Sequence, residues 1–245
     1  MVGSDSGGRR GLVWAIVGGL VLVAAVVAIV VSSLVSQAPT ADPPSLPSAT
    51  PPSTSPSEPS TDGDYVDASV SEKGWVPEPI TTDPDAYIRA ALAAASTFDT
   101  QESSRSEWLA YLDTWFTPDT RSSTDEERQQ DLELSQLELR QAVVLPESEW
   151  DSLANEKGRV VAMATSDISY MDVPDDATGD MRIGTADVVL TFTSTDGSGG
   201  EASYDETVRV SVQVLCGDGS VPTPDSAQQP GDCKVVRYFS GSLEP

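Results

Sequence analysis

Histidine is missing from this 245-residue chain, and cysteine occurs only twice. The lack of histidine excludes Ser-His-Asp and Cys-His catalytic arrangements and any histidine-ligated zinc site. A G-x-x-x-x-G-K-S/T phosphate loop is also absent, so nucleotide hydrolysis by that route is unsupported. Carboxylate pairs for acid–base or glycosidic chemistry are plentiful, but so many acids make their proximity in sequence uninformative. We therefore expect a protein that is not an enzyme and that carries no cofactor.

Basic residues are scarce as well, with 14 Lys and Arg against 39 Asp and Glu and a formal net charge of −25. A surface this acidic is repelled by the phosphates of DNA, which proteins bind mainly through Lys and Arg. Direct binding of nucleic acid is therefore not expected. The acidity is typical of a protein kept soluble in an exposed compartment, and an acidic docking surface is the alternative interpretation.

Charged side chains are also missing from Gly11 to Val35, where residues 12–31 are almost entirely apolar. Roughly 20 helical residues cross the ~30 Å hydrocarbon core of a bilayer, so we predict a transmembrane helix at 11–35. A cleaved secretory signal is the competing interpretation, because residues 36–38 loosely fit a small-x-small cleavage site. Signal peptides have apolar cores of only about 7–15 residues, so an uncleaved anchor is favoured.

Two basic residues, Arg9 and Arg10, indicate how this helix is oriented. They precede the apolar segment, and no further basic residue occurs before Lys73. The positive-inside rule then places residues 1–10 in the cytoplasm and the C-terminal part outside. We expect a single-pass protein of the cell membrane with an extracytoplasmic domain.

A proline-rich spacer is expected to follow the membrane segment. Between Gln37 and Thr61 there are eight prolines and ten serines or threonines, which offer little apolar surface to bury. Such a segment is extended and semi-rigid, at up to ~3.1 Å per residue, and is open to O-glycosylation. We predict a stalk at 36–79, with Trp75 and Val76 as its first contacts with a folded domain at 80–245.

Three helices are predicted at the start of this domain. Asp83 before Pro84 is a typical helix cap followed by a typical first helical residue. Ser104 and Glu107 have the spacing of a capping box. A third helix is expected to begin at Ser123–Thr124, where the acids that follow favour a helix N-terminus. Its leucines between 132 and 139 alternate as they do in strands, but we interpret the segment as helix.

The period of the apolar residues changes to two after residue 158, which is typical of strands. Strands are predicted at Val160–Tyr170, 186–193, 208–215 and Lys234–Ser240, with a hairpin loop at Asp196–Gly200. Helices followed by strands indicate an α+β domain in which helices cover one face of an antiparallel sheet of about four strands.

The two cysteines, Cys216 and Cys233, lie at the end of one predicted strand and the start of the next. In an oxidising compartment such a pair is expected to form a disulfide that encloses the loop between them. A metal or redox role is the alternative, but a metal site normally needs further ligands. We predict a structural disulfide and no metal site at these cysteines.

Two further groups of residues have alternative interpretations. The aromatic residues Trp108, Trp115 and Phe116 are expected in the core, and a pocket-lining role is the alternative. Four aspartates between 172 and 180 are expected at a solvated hairpin tip. Carboxylate oxygens are ligands that Ca²⁺ prefers, although their spacing does not fit an EF-hand loop. The four are Asp172, Asp175, Asp176 and Asp180.

The order of a short basic N-terminus, one apolar segment, a proline-rich stalk, helices and then strands resembles the TcpC-type conjugal transfer proteins of Gram-positive mobile elements. These proteins are related to the bitopic periplasmic scaffold subunit of type IV secretion. The run Ala90–Phe98, followed by Trp108–Leu109 and Trp115–Pro118, is similar to the first two helices of that domain. The resemblance implies a cystatin-like roll, in which helices pack on a curved antiparallel sheet, and it transfers no catalytic or binding residue.

This resemblance implies a non-enzymatic, membrane-anchored scaffold subunit of a conjugation or type IV secretion-like apparatus. Such a subunit associates with copies of itself and docks other subunits of a membrane transfer complex. A stalked ligand-binding or sensory domain is one alternative, because the same roll often encloses an apolar pocket. An accessory factor of a lipid-import complex, which has the same layout of anchor and roll, is the other.

Overall fold

The computed structural model describes residues 64–239 and Leu243. The topology residues Arg9 and Arg10, the predicted transmembrane helix and the stalk up to residue 63 lie outside the described residues. Within the described part of the chain, no helix is both long enough and apolar enough to cross a membrane.

Four α-helices cover one face of the sheet. They are α1 (Pro84–Ala94), α2 (Arg105–Asp113), α3 (Asp125–Glu138) and α4 (Glu147–Asn155). The side chain of Asp83 caps α1 by accepting a hydrogen bond from the backbone N–H of Asp85 at 3.0 Å. Capping boxes begin α2 and α3, so the predicted starts of the first three helices are confirmed.

The end of α3 widens into a π-helical turn at Leu139–Val143, and α4 follows after Pro146. Neither element was predicted from the sequence. Leu139 is fully buried in this turn, and Trp150 of α4 is buried against Phe98, with ring centroids 4.1 Å apart. Aromatic packing therefore holds α4, a helix whose first turn lacks a side-chain cap.

The strands form a curled antiparallel sheet in the order β1-β2-β4-β5-β6, with β3 also paired to β4. Their bounds are β1 (Phe98–Asp99), β2 (Arg159–Ala164), β3 (Ser169–Asp172), β4 (Met181–Thr195), β5 (Glu201–Leu215) and β6 (Lys234–Phe239). The prediction of an α+β domain with helices on an antiparallel sheet is confirmed. The sheet contains six strands within the described residues, where about four were expected.

The predicted strand Val160–Tyr170 is divided into β2 and β3, which pair with successive parts of β4. Hydrogen bonds from helix α1 account for the interruption at 165–168. The guanidinium of Arg89 donates to the backbone oxygens of Thr165 at 2.6 Å and Ser166 at 2.8 Å. These carbonyls are therefore bonded to helix α1, and the strand is interrupted at this point.

Helix α1 lies close to the sheet because β4 carries a glycine beneath it. A Cβ atom on Gly184 would lie 2.9 Å from two side-chain carbons of Ile88. Ile88 is fully buried, as is Tyr238 of β6, whose hydroxyl donates to the carbonyl of Ala91 at 2.8 Å. The main core therefore lies between α1 and the sheet.

The part of the expected stalk that the structure describes, 64–79, is folded. It contains a 3₁₀ helix at Ala68–Lys73, and Tyr65 forms an antiparallel bridge with Pro79. Trp75 is buried, and its indole N–H donates to the hydroxyl of Ser103 at 2.9 Å. The folded part of the chain thus includes residues on the N-terminal side of the predicted boundary at residue 80.

Candidate docking groove

The predicted disulfide is present between Cys216, directly after β5, and Cys233, directly before β6. It encloses the loop 217–232, which is called the stapled loop below. This prediction is confirmed. Because β5 and β6 are neighbours in the sheet, the disulfide closes the base of the stapled loop against the sheet.

A buried ion pair lies beside the stapled loop and joins four parts of the chain. The Nζ of Lys234 lies 2.8 Å from Oε1 of Glu78, and both side chains are almost completely buried. Oε1 also accepts hydrogen bonds from the hydroxyl of Tyr87 at 2.6 Å and from Nε2 of Gln228 at 3.2 Å. The pair therefore connects the segment 64–79 to α1, to the stapled loop and to β6.

Burial shifts the pKa values of both partners of this pair. It raises the pKa of Glu78 above its usual value, although the Lys234 ammonium beside it opposes the shift. It lowers the pKa of Lys234, again against the attraction of the partner charge. Oε2 of Glu78 is buried and has no hydrogen-bond partner among the described residues. The arrangement holds chain segments together and offers no open site for a reaction.

The aromatic residues predicted for the core are buried there. Trp108 is fully buried, Trp115 is 1% exposed and Phe116 is 7% exposed. The Trp108 ring packs against Phe98 and Trp150 at centroid distances of 4.9 Å and 5.5 Å. None of the three predicted aromatics lines the apolar groove described next.

One of the four aspartates between 172 and 180, Asp176, stabilises a turn. The carboxylate of Asp176 accepts backbone N–H groups from Met181 at 2.9 Å and from Thr178 at 3.2 Å. No cluster of three or more His, Cys, Asp or Glu residues that could hold a metal ion occurs in the residues that the structure describes.

An apolar groove opens between the π-helical turn and the sheet, with a volume of about 350 Å³. One wall is the segment 141–146, and the floor comes from Phe98, β2 and β4. The other wall is the strand β5. The apolar residues that line the groove include Phe98, Val143, Val144, Leu145, Val160, Leu190, Phe192, Val208, Val210 and Phe239.

The wall formed by β5 is a free strand edge over much of its length. Strand β6 pairs only with the segment Ser211–Leu215, and residues 201–207 have no strand partner on that side within the described residues. Residues 201–207 are all exposed. Free strand edges present unpaired backbone N–H and C=O groups that can pair with another chain. The groove and this edge, residues 201–207, are called the docking groove below.

Two charged side chains at the docking groove form ion pairs within the described structure, and Asp205 accepts a hydrogen bond from the hydroxyl of Thr191 at 2.8 Å. Arg209 donates to Asp187 at 3.0 Å, and Glu201 accepts from Arg159 at 2.8 Å. Glu206 is exposed beside Leu190 of the neighbouring strand, and no ion pair with it occurs within the described part of the chain. Glu206 therefore places one negative charge in an otherwise apolar groove.

Only part of this groove could be predicted from the amino-acid sequence. One predicted strand ends at residue 193 and the next begins at residue 208. In the structure, β4 continues to Thr195 and β5 already begins at Glu201. The predicted hairpin loop Asp196–Gly200 was the available signal, because strands joined by so short a loop pair up to its ends. Glu206 and the π-helical turn were missed, since an exposed acid and a widened helical turn have no distinctive local pattern.

The structure is thus an α+β domain with an apolar groove beside an exposed strand edge. An IcmL-like type IV secretion system protein from Legionella pneumophila has a solved structure that is similar to this one, with a TM-score of 0.37 and 13% sequence identity. The match covers 66% of this chain and 95% of that chain. No protein-family model matches the sequence, and no curated protein matches it.

Proposed function

We propose that this chain is a non-enzymatic, membrane-anchored subunit of a conjugation or type IV secretion-like apparatus. In this proposal the N-terminus is cytoplasmic, one helix spans the cell membrane, and the folded domain is extracytoplasmic. The domain docks other subunits and associates with copies of itself. The TcpC-type layout of the sequence supports the specific assignment to a conjugation or type IV secretion-like apparatus.

The observation that carries the docking role is the free edge of β5 beside an apolar groove. An exposed strand edge invites aggregation unless it is covered or charged. Here the edge lies next to a concave apolar surface, which is the combination that strand-binding domains use to recognise extended segments. A docking role accounts for both features together.

The disulfide supports an extracytoplasmic position for the domain. Disulfides persist in oxidising compartments and are rare in the cytosol. The pair Cys216–Cys233 closes a loop on the folded domain, and the apolar segment 11–35 precedes that domain in the sequence. The topology inferred from Arg9 and Arg10 agrees with this position.

A ligand-binding role is the second candidate, because the groove also suits a small apolar molecule. Its volume of about 350 Å³ is at the lower end of the range for small-molecule sites, roughly 300–1,000 Å³. A small ligand would use the apolar walls and leave the backbone groups at the strand edge unpaired. The free edge favours docking of a protein segment over this candidate.

Crosslinking in native membranes, followed by mass spectrometry of the proteins that co-purify with the full-length chain, tests the proposed function. The expected result is the recovery of self-crosslinks together with other subunits of a membrane transfer complex, including a conjugation ATPase. A chain that is recovered alone and as a monomer contradicts the proposal. Screening of small apolar ligands against the full-length chain then becomes the next experiment.

A further inference from the structure

We propose that the docking groove binds an extended segment of a partner protein as an additional strand on β5, with a Lys or Arg of that segment opposite Glu206. The segment pairs with the exposed residues of β5, 201–207. This inference rests on the proposed docking role and deepens it, because it names the backbone geometry and the charge of the partner.

The register of β4 and β5 shows which backbone groups are available. Cys216 N–H donates to the carbonyl of Asp180 at 2.9 Å, and Asp196 N–H donates to that of Gly200 at 3.0 Å. Both pairs continue the β4–β5 register. In an antiparallel ladder, hydrogen-bonded and non-hydrogen-bonded pairs alternate. The even-numbered residues of β5 therefore bond to β4, and the odd-numbered residues between 201 and 207 direct their N–H and C=O groups to the free edge.

The side chains of the same strand form the apolar wall of the groove. Tyr204, Glu206, Val208 and Val210 alternate along β5 and share the face that the helices cover. Tyr204 stacks on Phe192 of β4, with ring centroids 5.0 Å apart, yet it is 57% exposed. A segment that pairs with the edge can place every second side chain between this row and the π-helical turn.

The charges that line the groove indicate the charge of the segment that it binds. Glu206 lies among apolar residues, and the other charged residue that lines the groove, Arg209, already contacts Asp187 at 3.0 Å. A cation on the incoming segment therefore gains a partner that an acidic or neutral segment does not. Cross-strand pairs of opposite charge stabilise a sheet, and like charges directly opposite destabilise it.

The chain itself supplies no suitable segment. Residues 11–63 contain no Lys or Arg, so the stalk cannot place a cation opposite Glu206. A second copy that paired its β5 edge would bring Asp205 and Glu206 towards the same acids in the other copy. With a formal net charge of −25, each copy also repels the other at long range. The observations favour a basic segment from a different protein.

The test uses the full-length chain in mild detergent and two labelled, capped peptides. One is Val-Thr-Lys-Thr-Val-Thr-Val, whose Val side chains lie on the same face of the strand as the Lys, and the other has Glu in place of Lys. Fluorescence anisotropy measures both dissociation constants. The wild-type chain is expected to bind the Lys peptide at least tenfold more tightly than the Glu peptide, and Glu206→Lys is expected to reverse this preference.

A matched pair of variants tests the backbone contribution. Thr207→Pro removes an edge N–H while the residue stays in an exposed edge strand, where proline is tolerated. Thr207→Ala keeps that N–H and serves as the control. The proline variant is expected to weaken the binding of both peptides at least tenfold relative to the alanine variant. Thermal unfolding verifies that both variants fold as the wild type does.

Three results would overturn the inference. These are an equal affinity for the two peptides in wild type and Glu206→Lys, an equal affinity of the two Thr207 variants, or a wild-type dimer that the Lys peptide dissociates. The last result identifies a second copy as the natural occupant of the groove. If peptide binding fails while other subunits still co-purify from native membranes, the docking role survives and only the strand-binding inference is lost.

Discussion

At the scale of single residues, Glu78 and Lys234 join parts of the domain that are far apart in the sequence. They are 156 residues apart in sequence and lie 2.8 Å apart in the interior. Lys234 also donates to the carbonyl of Thr114 at 2.6 Å and to the hydroxyl of Thr223 at 2.8 Å. Because each charge is compensated by the other, removal of one leaves an uncompensated charge in the interior.

A double-mutant cycle tests this pair. Glu78→Gln keeps the shape of the side chain and removes its charge, and Lys234→Met removes the cation. Each single change is expected to lower the free energy of unfolding at pH 7 by about 3–5 kcal/mol, and the double variant to lose much less than the sum. Urea denaturation measures all four proteins. Losses that add would show that the two charges do not depend on each other.

The carboxylate of Glu127 predicts a local response to pH. Its pKa lies below the usual value, because the hydroxyl of Ser123 and then the N–H of Thr124 donate to it. Since ionisation is easier in the folded state, its contribution to stability is present above the unfolded pKa of about 4.5 and is lost as pH falls through the lower, folded pKa. We expect the amide resonances of Ser123 and Thr124 to titrate below about pH 4.5.

Glu127→Gln provides the control for this titration. A glutamine keeps a hydrogen-bond acceptor at the start of α3 but cannot titrate, so the two amide resonances should no longer respond in that pH range. Nuclear magnetic resonance of both proteins between pH 3 and 7 gives the comparison. An unchanged titration in the variant would assign the response to another acid.

At the scale of secondary-structure elements, the disulfide and the buried ion pair act on the same segment. Thr223 and Gln228 of the stapled loop bond to Lys234 and Glu78, and Lys234 directly follows Cys233. The loop therefore contributes two of the polar partners of the buried pair. Its position depends on the cross-link at its base.

Removal of the disulfide is expected to lower the free energy of unfolding by about 3 kcal/mol, the value for a loop of this size. The double variant Cys216→Ser/Cys233→Ser measures the effect in urea denaturation, with the reduced wild-type protein as the matched comparison. Its effect should not add to that of Glu78→Gln, because both changes loosen the same loop. A loss well below 1 kcal/mol would show that the loop is positioned without the cross-link.

Local signals made the first three helices predictable from the sequence. Asp83, Ser104 and Thr124 cap their helices through side-chain contacts within three residues along the chain, and the sequence contains such patterns directly. The alternation of valines in β5 from Val208 onwards is likewise local. Prediction of the disulfide required only that the chain has two cysteines and that its compartment was inferred to be oxidising.

The remaining features depend on distant contacts and could not be predicted in this way. Glu78 resembles an exposed acid of a proline-rich spacer until β6 places Lys234 beside it. The exposed half of β5, residues 201–207, has polar side chains on both faces and therefore lacks the alternation of a half-buried strand. The docking groove arises where this strand meets the π-helical turn, and neither element has a clear local signature.

At the scale of the whole molecule, the acidic surface and the free strand edge both favour a basic partner segment over a second copy of the chain. The formal net charge of −25 disfavours the pairing of two copies through their edges, which protects the exposed strand from aggregation. The same charge attracts a basic segment at a rate that falls with rising salt concentration. The charge therefore disfavours pairing of this edge with a second copy of the chain and favours a partner segment of opposite charge.

The most direct measurement of the docking role compares Thr207→Ala and Thr207→Pro in native membranes, by crosslinking and quantitative mass spectrometry of what co-purifies. The account predicts that the alanine variant retains the other subunits of the complex and that the proline variant, folded and equally abundant, loses most of them. Recovery of both variants alone and as monomers would contradict the docking role, and recovery of both with identical sets of partners would contradict strand pairing at the edge of β5.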